Sequence, residues 1–446
     1  MIWEVTRHTV ERRLAAPSPS AHLGAITSVN TPIASTPTDA GLLFVTRSVR
    51  LFAYGSLSVI LVFYLTSLGL STSQTGLLLT LTLVGDTAVS LWLTTRADRI
   101  GRRRMLVVGA LLMAAAGVAF ASTRNFLFLI VAGTLGVISP SGNEVGPFLS
   151  IEQAALSQVL PDHRRTHGFA WYSLAGSFAT ALGSLCGGVV SGALQHATVS
   201  PLGSYRVVVF AYAGLGVVLT LLFGRLSPAV EVRSATRAAS GIGRSRRVIL
   251  RLSSLFALDA FAGGFVVQSF AAYWFYLRFG VNPATLGAIF LGANLFAGVS
   301  ALLAARLAGR FGLVRTMVFT HLPSNVLLIL VPLMPTLPLA IAVLLLRFSI
   351  SQMDVPTRQS YVMAVVSPEE RSAAAGITGV ARTTGAALAP LFAGWMFARP
   401  ALVSLPFFIA GTLKVVYDVL LYRGFVALRA PEEQEGRGVR PPGRIR

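Results

Sequence analysis

The chain contains one cysteine and one lysine in 446 residues. A single thiol, Cys186, excludes an intrachain disulfide and any cysteine-based metal site. The lone lysine, Lys414, follows Thr412-Leu413. The Gly-Lys-Ser/Thr run of a phosphate-binding P-loop is therefore missing, which excludes ATP hydrolysis by that route. The six histidines are not joined by cysteines into a ligand cluster, so no metal and no other cofactor is expected. Charged residues make up only 12% of the chain, about half their share in soluble domains.

Apolar residues are abundant, at 54%. Twelve stretches are each long enough to cross a bilayer: 43–70, 75–95, 105–122, 125–158, 168–195, 206–225, 253–278, 284–306, 314–333, 337–366, 372–397 and 402–425. Backbone groups in lipid must bond within their own segment, so these stretches are helices. The fold class is an all-α membrane protein, with the lipid bilayer as its main surroundings. The fourth and tenth stretches carry charges and are expected to be broken. Trp171, Tyr172, Tyr273, Trp274 and Tyr276 are expected at helix ends, as interface anchors.

The net charge of +20 raises the possibility of nucleic acid as a partner, but the arginines sit in short loops and tails. Arg96, Arg99, Arg102, Arg103, Arg104, Arg164, Arg165, Arg306, Arg310, Arg315 and Arg371 fall on one side with the arginines of the middle segment. Only Arg124, Arg206, Arg278 and Arg399 fall on the other. Topology and anionic lipid headgroups account for this pattern, and no nucleic acid is expected. The rule that basic loops stay inside puts both termini in the cytoplasm. Arginine in place of lysine suggests a GC-rich bacterial source and hence the inner membrane.

The expected organisation is a disordered segment 1–42 without a secretory signal, a six-helix unit 43–225, a polar linker 226–252, a second six-helix unit 253–425, and a basic tail 426–446. The two units repeat at an offset of about 206–211 residues. Asp98-Arg99-Ile100-Gly101-Arg102 matches Gly309-Arg310-Phe311-Gly312-Leu313. Pro161-Asp162-His163-Arg164 matches Pro368-Glu369-Glu370-Arg371, and Gly183 to Gly188 matches Ala389 to Gly394.

The Asp98-to-Arg104 run resembles the cytoplasmic loop signature of the major facilitator superfamily, which also follows the second helix. Thr94 stands where that signature usually opens with glycine. The resemblance covers the whole membrane part of the chain. It implies twelve helices in two pseudo-symmetric bundles and a solute site between them, lined by helices 1, 4, 7 and 10. It also implies a conformational latch at Asp98, Arg99, Gly101 and Arg102 that contacts helix 11. Gly183 to Gly188 resembles the helix 5 motif of the family's antiporters, with Ser184 in place of its proline.

An ionisable group inside a membrane usually has a function or a partner. Arg47 and Arg50, Glu144 and Glu152, Asp259, and Arg347, Asp354 and Arg358 lie on the four helices that line the implied cavity. Arg50, Glu144, Asp259, Arg347, Asp354 and Arg358 are the candidate coupling and solute residues. Glu144 stands within Pro140 to Pro147, a stretch of prolines and glycines that argues for a broken helix. Asp354 and Arg358 stand one turn apart around Pro356. Lys414 and Asp418 are spaced to pair along helix 12. Asp86 and Arg382 lie at similar depth, roughly 16–18 Å into the membrane, and are expected to pair across the two bundles.

These features point to a secondary transporter and not an enzyme. It would be a monomer moving a small-molecule substrate by alternating access, coupled to protons or to sodium. Proton-driven export leads. A symporter or uniporter for a small anionic solute is the alternative, and a non-transporting sensor or assembly factor is a third possibility from another class.

Overall fold

The computed structural model describes residues 37–142, 148–160, 162–231, 243, 245–367 and 370–426. The described residues form fifteen α-helices: α1 (Pro37–Ser67), α2 (Thr72–Ile100), α3 (Arg102–Ser122), α4 (Phe126–Leu135), α5 (Phe148–Val159), α6 (Asp162–His196), α7 (Pro201–Phe223), α8 (Arg246–Gly264), α9 (Gln268–Phe279), α10 (Pro283–Phe311), α11 (Leu313–Leu330), α12 (Leu337–Ser351), α13 (Asp354–Val365), α14 (Arg371–Phe397) and α15 (Leu405–Phe425). Ten segments of these are long and apolar enough to cross a membrane, with α8–α9 and α12–α13 each counted as one. The pair α4–α5 and helix α14 complete the twelve spans.

Leu127, Phe128, Leu221 and Phe319 are exposed, as befits side chains whose solvent is lipid. Helix α1 is the opposite case. It is buried on every side from Ala53 to Leu65, the mark of a helix at the centre of a bundle.

Helix ends follow local chemistry. Ser71 and Gln74 form a reciprocal capping box at the start of α2. Asn282 caps α10, with Pro283 in its first turn. The expected signature loop is barely a loop. Gly101 alone, at φ 117°, separates α2 from α3, and Gly312, at φ 91°, separates α10 from α11. Only glycine adopts this backbone cheaply, which accounts for the repeated Arg-x-Gly. Other expected boundaries move. Helix α1 starts at Pro37 rather than 43, and α8 starts at Arg246, inside the expected linker.

Spans four and ten are broken as expected. Pro356 sits in the first turn of α13, where its ring would clash with the Gln352 carbonyl of a continuous helix. Span seven also breaks, between Gly264 and Gln268, which the sequence reading did not anticipate. The cause is packing. A methyl group on Gly264 would lie 2.5 Å from the Ala386 carbonyl of α14, so glycine is needed there, and a glycine pair weakens the helix.

The breaks of spans four and seven meet. Ser269 N–H donates to Pro140 O at 3.1 Å. The Gln268 amide donates to Ser58 at 2.8 Å and to Ser184 at 3.0 Å, and Asn294 donates to Gln268 at 3.1 Å. Backbone groups freed by one bundle are thus satisfied by the other, as an apolar medium demands.

The bundles also touch where glycines allow it, on the face opposite the arginine-rich loops. An added methyl on Gly76 would lie 2.4 Å from Pro390 O and 2.9 Å from Gly394 Cα. One on Gly188 would lie 2.3 Å from Pro283 O and 2.9 Å from Gly287 Cα. The pairs Gly76–Gly394 and Gly287–Gly188 occupy equivalent positions in the repeat. Leucine at Gly188 should therefore force this face apart. With Cys186→Ser and Ser58→Cys as background, a membrane-impermeant maleimide should label Gly188→Leu several-fold faster than the glycine parent. Equal labelling would show that the closure does not depend on these contacts.

Candidate functional site

Each bundle buries a network of charge. In the first, α1 supplies Arg50 and α5 supplies Glu152. The guanidinium donates to both carboxylate oxygens, at 2.8 and 2.7 Å. Thr46 donates to one of these oxygens at 3.0 Å, and Tyr172 of α6 donates to the other. Both charged groups are wholly buried. The Arg50 guanidinium lies 4.6 Å over the Phe148 ring, and that of Arg47 lies 4.4 Å over Tyr172. Glu152, which was not among the candidate coupling residues, is the centre of this network, and Arg50 is committed to it. Tyr172 and Trp274 are buried rather than placed as interface anchors.

The second bundle gathers more groups from more helices. Asp259 of α8 is at the centre. Lys414 of α15 donates to its Oδ1 at 2.5 Å. Arg358 of α13 and Arg382 of α14 approach Oδ2 at 3.5 and 3.6 Å, and His321 Nε2 of α11 lies 3.8 Å from Oδ1. Arg358 bonds Asp354 one turn away at 2.7 Å. On the far side of His321, Nδ1 meets Asp418 Oδ1 at 2.9 Å, and Asn325 donates to Asp418 Oδ2 at 2.8 Å. Five helices thus share three carboxylates and four bases.

The two networks correspond. Arg50 and Asp259 fall at matching places in the repeat, and so do Glu152 and Arg358, with the signs exchanged. The difference is closure. Glu152 is held by four hydrogen bonds. Asp259 has one close cation and three others between 3.5 and 3.8 Å.

Several expected roles are revised. The Asp86–Arg382 pair between bundles does not form in this state: Arg382 turns to Asp259 of its own bundle, while Asp86 is buried in α2. The bundles do pack along α2 and α14, but through glycines rather than a charge pair. Lys414 and Asp418 do not serve each other; they hold Asp259 and His321. Arg347 is half-buried, with its guanidinium 4.9 Å over Phe348 and its Nε without a hydrogen-bond partner.

At the signature corner, Arg99 is exposed, and Arg102 bonds Gln158 at 2.7 Å and Val230 O at 3.3 Å. Glu231 accepts from the backbone N–H groups of Arg102 and Arg103, at 2.6 and 3.2 Å, capping α3. Arg102 is thus turned into its own bundle here. Glu144 and the Asp98 side chain lie outside the described residues. His321 and Asn325 were not among the expected residues. Their spacing of one turn, repeated by Lys414 and Asp418 on the last helix, was the available signal.

A twelve-helix carrier with charge buried in both halves is the class of protein these features define. The family model described as Major Facilitator Superfamily matches residues 43–350 and 256–444. The chain belongs to the major facilitator superfamily. It is a membrane transporter of a small molecule and not an enzyme. It is 29% identical over 426 residues to an uncharacterized membrane protein of Saccharomyces cerevisiae, covering 88% of this chain and 95% of that one. A bacterial homologue of the human lysosomal transporter Spinster, crystallised inward-facing and unoccupied, shares the fold at TM-score 0.67 and 16% identity, covering 88% of this chain and 98% of its own. A D-xylose–proton symporter does so at TM-score 0.64 and 14% identity, covering 86% and 97%.

Removing one partner of a buried ion pair leaves an uncompensated charge, at a cost of about 3–5 kcal/mol. Arg50→Ala should therefore lower the unfolding temperature of the detergent-purified protein sharply, and Arg50→Ala with Glu152→Gln should recover part of the loss. Unchanged melting of the single variant would show that the pair is not structural.

Proposed function

We propose that this transporter couples its solute to protons by alternating access, with Asp259 as the coupling carboxylate and a small organic anion as the solute. The supporting observation is that one buried carboxylate is shared by four bases on four helices. Protonating such a group releases its cations, and stripping a cation from it favours the proton. Movement of helices α13 and α14 relative to α8 therefore changes proton affinity, which is what coupling needs. The anionic solute is supported by two arginines with spare capacity. Arg382 keeps 34% of its side chain exposed, and Arg347 has an unpartnered Nε. Guanidinium groups of this kind suit carboxylates and phosphates. A symporter among the proteins of the same fold supports ion coupling.

Export by proton exchange is the second reading, supported by the likeness of Gly183 to Gly188 to the antiporter motif. Close packing also explains that motif: methyl groups on Gly183 and Gly187 would lie 2.1 and 2.3 Å from carbonyls of α1. On either reading the arginine-rich face is cytoplasmic, both termini lie inside, and the protein acts as a monomer. The single lysine among 37 basic residues supports a bacterial inner membrane.

A thermal-shift screen of the purified protein against carboxylates, phosphorylated solutes, cations and neutral sugars tests the solute class. A ligand at 100-fold its Kd adds about 2.7 kcal/mol of stability. Anions should stabilise and Arg382→Gln should remove the effect; stabilisation by cations alone would overturn the anionic reading. In vesicles, Asp259→Asn should abolish accumulation driven by a pH gradient while leaving exchange measurable. Wild-type accumulation in that variant would remove Asp259 from the coupling role.

A further inference from the structure

The bases around Asp259 are sorted by type. On the α11 and α15 side stand His321 and Lys414, both of which can exist uncharged. On the α12, α13 and α14 side stand Arg347, Arg358 and Arg382, which stay charged in proteins. Lys414 is the only lysine among 37 basic residues, and it is buried at 2.5 Å from Asp259. Arginine serves as the cation everywhere else in this chain.

His321 is built into this side. Asp418 is an acceptor only, and Asn325 Nδ2 donates to one of its oxygens at 2.8 Å. The other oxygen lies 2.9 Å from His321 Nδ1, and Asn325 Nδ2 lies 3.1 Å from the same nitrogen; with Asp418 ionised and able only to accept, Nδ1 is the donor of the Asp418 bond. Nε2 is then the open position, and it points at Asp259 Oδ1, 3.8 Å away. That is longer than a hydrogen bond, and a protonated nitrogen would shorten it. The Tyr417 ring packs edge-on against the imidazole, with centroids 5.8 Å apart. His321 lies eight residues from the arginine-rich end of α11, and Asp418 seven residues from that end of α15. Both are therefore roughly 10–12 Å deep.

We propose that His321 is a proton-binding site set to the side of the solute cavity and linked to it through the Asp259 carboxylate. This rests on the reading of Asp259 as the coupling group. A proton from water adds to the Nε2 lone pair and makes an imidazolium between two carboxylates. His321 and Lys414 together then draw Asp259 towards α11 and α15. Arg382, relieved of Asp259, is free for the anionic solute. When the proton leaves, Asp259 returns towards Arg358 and Arg382 and competes with the solute. Proton and anion therefore load together. The groups facing His321 are Asp418, Asn325, Lys414, Tyr417 and Asp259, with Arg358, Arg382, Asp354 and Arg347 behind Asp259.

The test is acid-minus-neutral infrared difference spectroscopy of the full chain in lipid nanodiscs, which reads imidazole protonation without a solute. The wild-type spectrum should contain a histidine ring band that His321→Gln lacks. Asp418→Asn and Asp259→Asn, which keep the shape and remove charge, should each move the onset of that band to lower pH. Arg382→Gln, which mimics an occupied anion side, should move it to higher pH. A wild-type spectrum identical to that of His321→Gln overturns the site. A band indifferent to Asp259→Asn and Arg382→Gln overturns the link. A negative anion screen with these band shifts intact would instead sink the solute reading and leave the proton site standing.

Discussion

A buried charge in a membrane must find its counter-charge inside the protein, and this constraint organises the molecule. Each ionised group costs on the order of 2.5–3.5 kcal/mol on insertion scales. The chain nonetheless places Asp259, Asp354, Asp418, Lys414 and Arg358 in one bundle, and Arg50 and Glu152 in the other, all buried. In the first bundle Glu152 meets the cost by completeness, with both of its oxygens taken. The second meets it by sharing, with one carboxylate among several bases. A complete pair resists change, and a shared one invites it. The same duplicated scaffold thus holds a closed ion pair in one half and a shared carboxylate in the other.

Backbone groups are under the same constraint. Spans four, seven and ten are interrupted, and each interruption frees carbonyl and N–H groups in an apolar medium. The interruptions of spans four and seven meet across the bundle interface, where Ser269, Pro140, Gln268, Ser58, Ser184 and Asn294 supply one another's hydrogen bonds. Beside them the Gly76–Gly394 and Gly188–Gly287 contacts bring backbones together on one face. Glycine contacts hold by shape and carry no desolvated charge. Hydrogen bonds in the middle and bare backbone at the edge make up this interface.

Much of this was legible beforehand, for identifiable reasons. Twelve spans follow from hydropathy because lipid penalises any unpaired backbone, so segment length and apolarity suffice. The signature Arg-x-Gly corner was visible because a positive φ demands glycine. The fourth-span break was visible because proline and glycine disrupt helices wherever they occur. The break in span seven was not visible, because its cause is the close approach of α14 to Gly264, a contact between residues more than a hundred positions apart.

The site divides in the same way. The sequence by itself determined which ionisable groups enter the membrane and on which helix each travels, since position along a span sets depth. Only the tertiary structure decided who meets whom. It joined Arg50 to Glu152, Lys414 to Asp259 rather than Asp418, and Arg382 to Asp259 rather than Asp86. It also brought the overlooked His321 and Asn325 to Asp418. Depth is a property of one helix and can be counted along the chain. Pairing depends on how helices turn about their own axes when their small residues interlock, and that rotation is settled by packing among all of them at once.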